Sequence, residues 1–292
     1  MSEPVPARAA RTAAYTVLAL TAFASNSILC RLALGTHSID AGSFTAARLA
    51  SGAALLLAIR GVAGTRAAGA GRSGWLSAAM LFSYATAFSF AYLRLSVGTG
   101  ALVLFGAVQA TMILGALRAG ERFVPLEGIG LALAAAGLIY LVTPGLTAPS
   151  PLGCALMTIA GISWGVYTLR GRGSGDPLGD TARNFAWSVL FAVAIGLLAI
   201  RGLHLTARGV TLAVISGSLA SGVGYVLWYA ALRHLTSIRA AAVQLSVPVL
   251  AALGGVLFLS EAVSVRLLVA AVLILGGVGL AIGGQGRAGY GR

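Results

Sequence analysis

Apolar residues fill the chain in runs of roughly 20 positions, each interrupted by a short cluster of Arg, Gly, Pro, Ser or acidic residues. A run of that length, folded as a helix, crosses a hydrocarbon core of ~30 Å. Ten such runs are predicted, five in the first half: Thr12 to Leu34, Ser43 to Ile59, Gly74 to Tyr92, Gly98 to Leu117 and Leu126 to Val142. The second half gives Leu152 to Leu169, Asn184 to Ile200, Gly209 to Leu232, Ser237 to Leu259 and Leu267 to Ile282. Lipid offers backbone groups no partners, so the expected class is all-α, a polytopic membrane protein of ten transmembrane helices.

The two halves repeat. Leu95, Ala101, Val103, Gly115, Leu117 and Glu121 recur 140 positions later as Leu235, Ala241, Val243, Gly255, Leu257 and Glu261, without a gap. Because each half has an odd number of runs, the second must insert upside down relative to the first, which is the inverted repeat of many carriers. The expected units are residues 1–145 and 151–284, joined where Pro144, Pro149 and Pro151 cluster, with residues 285–292 as a disordered tail. Gly171 to Asp180, containing Gly173, Ser174, Gly175, Asp176 and Pro177, reads as a loop.

Composition agrees. Hydrophobic residues make up 58% and charged residues 9%, against about a quarter charged in a soluble domain. All twenty basic residues are Arg, and ten crossings put fourteen of them on the side of the N-terminus. Arg94, Arg201, Arg208 and Arg266 fall opposite, Arg31 lies close to that side, and Arg48 lies inside a run. Short cytoplasmic loops collect positive charge, so both termini are expected in the cytoplasm. The net charge of +13 does not point to nucleic acid, because the arginines punctuate loops and are not gathered on one solvated face. The first run, following Arg8 and Arg11, has the outline of a signal peptide, but its length and the nine runs after it favour a retained helix. Cys30 and Cys154 lie far apart within runs, and suggest neither a disulfide framework nor a metal site.

The acids Glu3, Asp40, Glu121, Glu127, Asp176, Asp180 and Glu261 all fall in loops or at run ends. A mid-membrane carboxylate is the usual mark of proton pumps and of carriers for cationic drugs or metals, so a cation antiporter is disfavoured. Arg48 has two readings: an anion or carboxylate contact, or a structural anchor that caps helix ends or snorkels. Its distance of about five residues from the loop at Ser43 favours the anchor, since long basic side chains reach an interface from there.

Polar and aromatic residues form stripes at helical spacing, the pattern of helices that border a wet chamber. The stripes are Ser77, Met80, Tyr84 and Phe88; Phe105, Gln109 and Met112; Ser218, Ser221, Tyr225 and Trp228; and Ser237, Ala241, Gln244 and Pro248. Gly161, Trp164, Gly165 and Thr168 combine a small-xxx-small packing motif with an indole. Gln109, Gln244 and Asn26 should point inward, because an amide facing lipid is left unpaired. Pro248 is expected to kink its helix and free the carbonyl of Gln244, making it a hinge candidate.

Ten spans in two inverted halves, the pair Trp164-Gly165 early in the sixth span, and Glu121 and Glu261 closing the fourth and ninth resemble the EamA repeats of the drug/metabolite transporter superfamily. The likeness covers Ala13 to Gly284, and the chain looks like a YddG-type amino-acid exporter of the bacterial inner membrane. It implies a basket in which spans three, four, six, eight and nine, with parts of one and two, enclose a central substrate cavity, while spans five and ten brace the outside. The residues this places inward are Asn26, Tyr84, Phe88, Gln109, Trp164, Tyr225, Trp228 and Gln244. One departure stands out: the first half has Ser25-Asn26 where the second has Trp164-Gly165.

The expected function is therefore export of amino acids, aromatic or other neutral ones, by alternating access and without energy coupling. Rings would stack on the cargo side chain, and Asn26, Gln109 and Gln244 would receive its ammonium and carboxylate ends. The protein would act as a monomer without metal or cofactor. Alternatives are export of another metabolite or drug by proton antiport, in which Glu121 or Glu261 would carry the proton, and a nucleotide-sugar carrier, which would want more basic residues at depth than Arg48. A membrane enzyme would need a nucleophile and base at one depth, yet His37, His204 and His234 fall in loops or at run ends and neither Cys is near one in sequence. A channel would need a charge ring or filter motif, and none is visible.

Overall fold

The computed structural model describes residues 5–62, 74–120, 125–142, 150–172, 174–198, 203–260 and 265–283. Their regular elements are helices: α1 (Val5–Gly35), α2 (Ala41–Val62), α3 (Trp75–Tyr92), α4 (Val97–Arg118), α5 (Pro125–Val142), α6 (Pro151–Gly171) and α7 (Pro177–Leu198). Then follow α8 (Ala207–Ile215), a π-helical segment (Ser216–Val223), α9 (Gly224–Leu232), α10 (Ser237–Gln244), α11 (Ser246–Leu259) and α12 (Val265–Gly283). Among the described residues, extended pairing is confined to an isolated antiparallel bridge between Ile39 and Leu205. Six helical stretches are long and apolar enough to cross a membrane: Arg8–Gly35, Ala41–Val62, Val97–Arg118, Pro151–Gly171, Ala207–Leu232 and Arg239–Leu259; Pro125–Gly137 is a shorter apolar helix. Exposed apolar side chains such as Ile129, Ile139, Leu257, Phe258 and Val272 suit a lipid boundary and not water.

Local chemistry sets the helix starts. Ser96, Ser150, Thr206 and Thr236 accept hydrogen bonds from the backbone N–H three residues on, at 3.4, 3.3, 3.1 and 3.2 Å, which satisfies a donor that the helix leaves orphaned. Asp40 does the same for α2 through the Ser43 N–H at 2.8 Å. The seventh helix begins at Pro177, seven residues before the expected Asn184, so the expected loop is shorter. The cause is a cap: Asp176 Oδ1 accepts from the Gly179 N–H at 2.8 Å, and Pro177 occupies the first helical position, where its fixed φ and missing N–H cost nothing.

Two other expected runs are not uniform helices. The eighth passes through the π-helical turn, and the ninth is interrupted at Leu245, between α10 and α11. There the Leu245 N–H pairs with the Ala242 carbonyl three residues back, at 3.1 Å. The interruption lies just before Pro248, which cannot donate to the Gln244 carbonyl and would crowd it. Glu121, Glu261, Pro144, Pro149 and the tail 285–292 lie outside the described residues.

Helices α5 and α12 lie side by side, with Gly277 packed on the Gly130 carbonyl and Ala134. Helix α1 packs on α9 and α11, α2 on α7 and the π segment, and both α3 and α4 on α6. The α4–α6 crossing is close because Gly161 and Gly165 present no Cβ: one would meet the Leu104 carbonyl and Ala107, the other Thr111. At the end of the bundle where α1 finishes, Asp40 N–H donates to the His204 carbonyl at 3.0 Å, His204 N–H to Asp40 Oδ2 at 3.1 Å, and Arg31 to the Tyr92 carbonyl at 3.1 Å. At the opposite end, Arg8 meets His234 at 2.9 Å, Arg233 donates to the Gly175 carbonyl at 2.8 Å, Arg172 to that of Leu235 at 3.1 Å, and Arg60 lies 3.8 Å from Asp176.

Candidate functional site

A guanidinium stands at the centre of the bundle. Arg48 of α2 is only 1% exposed. Its Nε donates to Ser221 Oγ at 3.0 Å, and its Nη2 to the hydroxyls of Tyr84 at 3.1 Å and Tyr225 at 3.0 Å. The group also lies 5.1 Å from the ring centroids of both Tyr84 and Phe88. Burying a charge at this depth costs at least ~2.5 kcal/mol on the most lenient scale. Hydrogen bonds to a charged group return about 1.5–3 kcal/mol each and cation–π contacts about 0.5–2 kcal/mol, so the residue is held in place. Arg48 therefore does not snorkel and caps no helix end, which corrects that part of the anchor reading; its side-chain bonds tie α2 to α3, the π segment and α9. Among the described residues no carboxylate pairs with it, and its Nη1 has no hydrogen-bond partner.

The π-helical segment makes this geometry possible. Ser216 and Ser221 are five residues apart, one i→i+5 turn, so both face inward. Ser216 Oγ donates to Asn26 Oδ1, while Ser221 accepts from Arg48. On an α-helix Ser218 would share the face of Ser221; here it turns away and donates to the Val214 carbonyl at 2.6 Å. Asn26 Nδ2 completes the link by donating to the Tyr84 hydroxyl at 3.3 Å. One chain of bonds thus joins α1, α2, α3, the π segment and α9.

Above this polar chain sits an aromatic box. Trp164 lies 4.6 Å from Tyr225, 5.2 Å from Tyr84 and 5.2 Å from Phe23 between ring centroids. Phe23 also meets Tyr225 at 5.8 Å and Trp228 at 5.7 Å, edge to face. Phe88 extends the wall from Tyr84 at 5.4 Å, and Tyr167 continues it from Trp164 at 5.7 Å. Gln244 joins through Trp164, whose Nε1 donates to Gln244 Oε1 at 3.0 Å. The amide nitrogen of Gln244 donates to the Ala240 carbonyl at 3.3 Å and contacts Met112 Sδ at 3.1 Å.

Seven of the eight residues expected inward, Asn26, Tyr84, Phe88, Trp164, Tyr225, Trp228 and Gln244, are buried and linked in this cluster. Gln109 is buried one turn before Met112, but its Nε2 has no partner and no bond ties it to the box. The Trp228 Nε1 is likewise buried and unpartnered. Arg48, Phe23, Ser216 and Tyr167 were absent from the expected set. Phe23 had a signal, because it lies three residues before Asn26 on one helical face; Arg48 was marked by its charge alone. His37 and His204 sit at one end of the bundle and His234 at the other, none in the box, and Cys30 and Cys154 are free thiols. What the arrangement offers is recognition: flat apolar walls, a fixed cation and unpaired N–H donors.

Residues 151–283 match the EamA-like transporter family. The chain is 53% identical to the uncharacterized protein PA1977 of Pseudomonas aeruginosa over 271 residues, which cover 92% of this chain and 94% of that one. Its fold resembles a protein of known crystal structure with a TM-score of 0.74 at 19% identity, over 92% of this chain and 98% of the other.

Proposed function

Because this chain belongs to the EamA-like transporter family and is thereby a multi-pass membrane transporter, we propose that it exports amino acids, aromatic or other neutral ones, across the bacterial inner membrane. The observation that carries the reading is the box itself. Aromatic walls from both halves of the chain, Tyr84 and Phe88 with Trp164, Tyr225 and Trp228, enclose polar groups deep inside a lipid-facing bundle, as a site for a small amphipathic solute requires. The aromatic rings would stack on the cargo side chain, and the amides of Asn26, Gln109 and Gln244 would take its polar end. The rings and polar groups of the box are buried, so cargo would reach them only after the bundle opens, as alternating access around a fixed site requires.

We further propose ten crossings in two inverted units, residues 1–145 and 151–284, with both termini cytoplasmic. The inter-loop bonds support this topology. Asp40 with His204, Arg8 with His234, Arg233 with Gly175 and Arg60 with Asp176 each join segments that ten alternating crossings put on one side. The Arg-rich end is the cytoplasmic one by the bias of positive charge.

The test is release from liposomes. Purified protein reconstituted into vesicles loaded with a panel of amino acids should release aromatic and neutral ones above empty-vesicle controls, with or without a pH gradient. Release only under a gradient would favour proton antiport, and release of no amino acid would sink the cargo assignment.

A further inference from the structure

Three buried N–H donors in this part of the bundle lack partners, alongside one unpaired acceptor, Asn184 Oδ1, on the amide that bonds Tyr167. Arg48 Nη1, Gln109 Nε2 and Trp228 Nε1 are all buried without a partner, and all three are N–H donors. The central charge is positive, and no carboxylate among the described residues bonds it. A buried cation with an unpartnered Nη1 favours an acceptor or a negative charge beside it and disfavours an unpaired cation. We infer that Arg48 is the carboxylate-binding residue of this transporter, and that its cargo presents a carboxylate to Nη1 with an apolar or aromatic group against Trp164 and Phe23.

This rests on the transport reading above and names the chemistry of the same site. Geometry fixes the direction of approach. Nε is committed to Ser221 and Nη2 to the two phenols, so an anion must come to the Nη1 side. The Tyr84 and Tyr225 oxygens accept from Nη2 and hold that side of the guanidinium in place. Gly217, packed on the Arg48 backbone, and the three side-chain bonds keep the guanidinium from swinging to meet its ligand. A preorganised cation of this kind favours an anion over its neutral isostere because it needs no reorganisation on binding.

The test compares acids with their amides on the detergent-purified protein by isothermal titration, using 3-phenylpropionate, phenylalanine, 3-phenylpropionamide and phenylalaninamide. Losing a charged hydrogen bond in a dry site corresponds to about tenfold or more in affinity. The acids should therefore bind at least about tenfold more tightly than the amides, and R48Q, checked for folding by gel filtration and melting, should lose that preference. Equal binding of acid and amide, no binding of either acid, or an intact preference in folded R48Q would each overturn the assignment. The acid-to-amide ratio is read on the unmutated protein, so it decides even if R48Q does not fold. Binding of 3-phenylpropionate with the preference, but no binding or release of phenylalanine, would sink amino-acid export and leave the carboxylate site standing. Release of phenylalanine without the preference would do the reverse.

Discussion

Gly217 sits directly against the backbone carbonyl of Arg48: a Cβ at position 217 would overlap that oxygen and the Ser51 hydroxyl. From the other side Gly52 meets the π segment as closely, since a Cβ there would lie 2.8 Å from the Gly217 carbonyl and strike the Phe185 ring. Two helices therefore touch backbone to backbone one turn from the buried guanidinium. The crossing, not the local sequence around Arg48, decides that this side chain points into the box.

Gly217→Ala should accordingly separate α2 from the π segment. Overpacking of a close crossing costs about 1–3 kcal/mol, so the melting temperature in detergent should fall by several degrees. Gly106→Ala is the control, because a Cβ there meets nothing within 4 Å; its melting temperature should stay near that of the parent. Equal melting of both variants would refute the tight crossing.

The bond from Trp164 to Gln244 ties α6 to α10. Gln244→Ala leaves the indole N–H buried and unpaired, at a cost of about 1–3 kcal/mol, whereas Trp164→Phe removes the donor as well. A double-mutant cycle on melting should show the pair coupled by about 0.5–3 kcal/mol. If Gln244 also serves the cargo, amino-acid release per folded molecule should fall further than the melting loss explains. Additive single effects would exclude the coupling, and release that merely tracks folded protein would reduce Gln244 to packing.

How much of this was readable beforehand depends on the reach of each signal. Tyr84, Phe88, Tyr225 and Trp228 lie on stripes of three- and four-residue spacing, so a periodic reading finds them. Trp164 is flanked by Gly161 and Gly165, whose packing on α4 turns the indole away from that helix and into the box. A stripe at α-helical pitch includes Ser218 and omits Ser216, and only tertiary packing reveals the π turn that changes the pitch. The same limit applies to Arg48. A lone cation five residues from a loop fits both a snorkelling position at the interface and a buried one, and the contact between Gly52 and Gly217 that goes with the buried position is remote in sequence. The early start of α7 was readable, in contrast: Asp176-Pro177 is a cap followed by a first-turn proline.

Pro248 lies in the first turn of α11, just after the interruption at Leu245. Pro248→Ala restores an N–H that can reach the Gln244 carbonyl and removes the ring clash, changes worth about 3 kcal/mol in a regular helix. The variant should join α10 to α11 and melt higher. If the interruption is a working hinge, its amino-acid release should also slow several-fold, because a lid or hinge that no longer bends limits turnover. Higher stability with unchanged release would make the break structural only.

Asp40 supplies a pH dependence of known sign. Partial burial alone would raise its pKa, but the Ser43 hydroxyl and N–H and the His204 N–H favour the carboxylate, and together they hold it below its ordinary value. The unfolded chain therefore takes up this proton first as pH falls. The stabilisation is fully present above about pH 4, the ordinary carboxylate value, and is lost as pH drops through the lower folded value. Asp40→Asn keeps an acceptor for the α2 cap but cannot titrate. The difference in melting temperature between the parent and Asp40→Asn should be flat from pH 7 to 5 and shift against the parent below about pH 4, while the other carboxylates cancel in the comparison. Curves that stay parallel down to acid pH would show that the bond between the α1–α2 turn and His204 contributes nothing through the charge on Asp40.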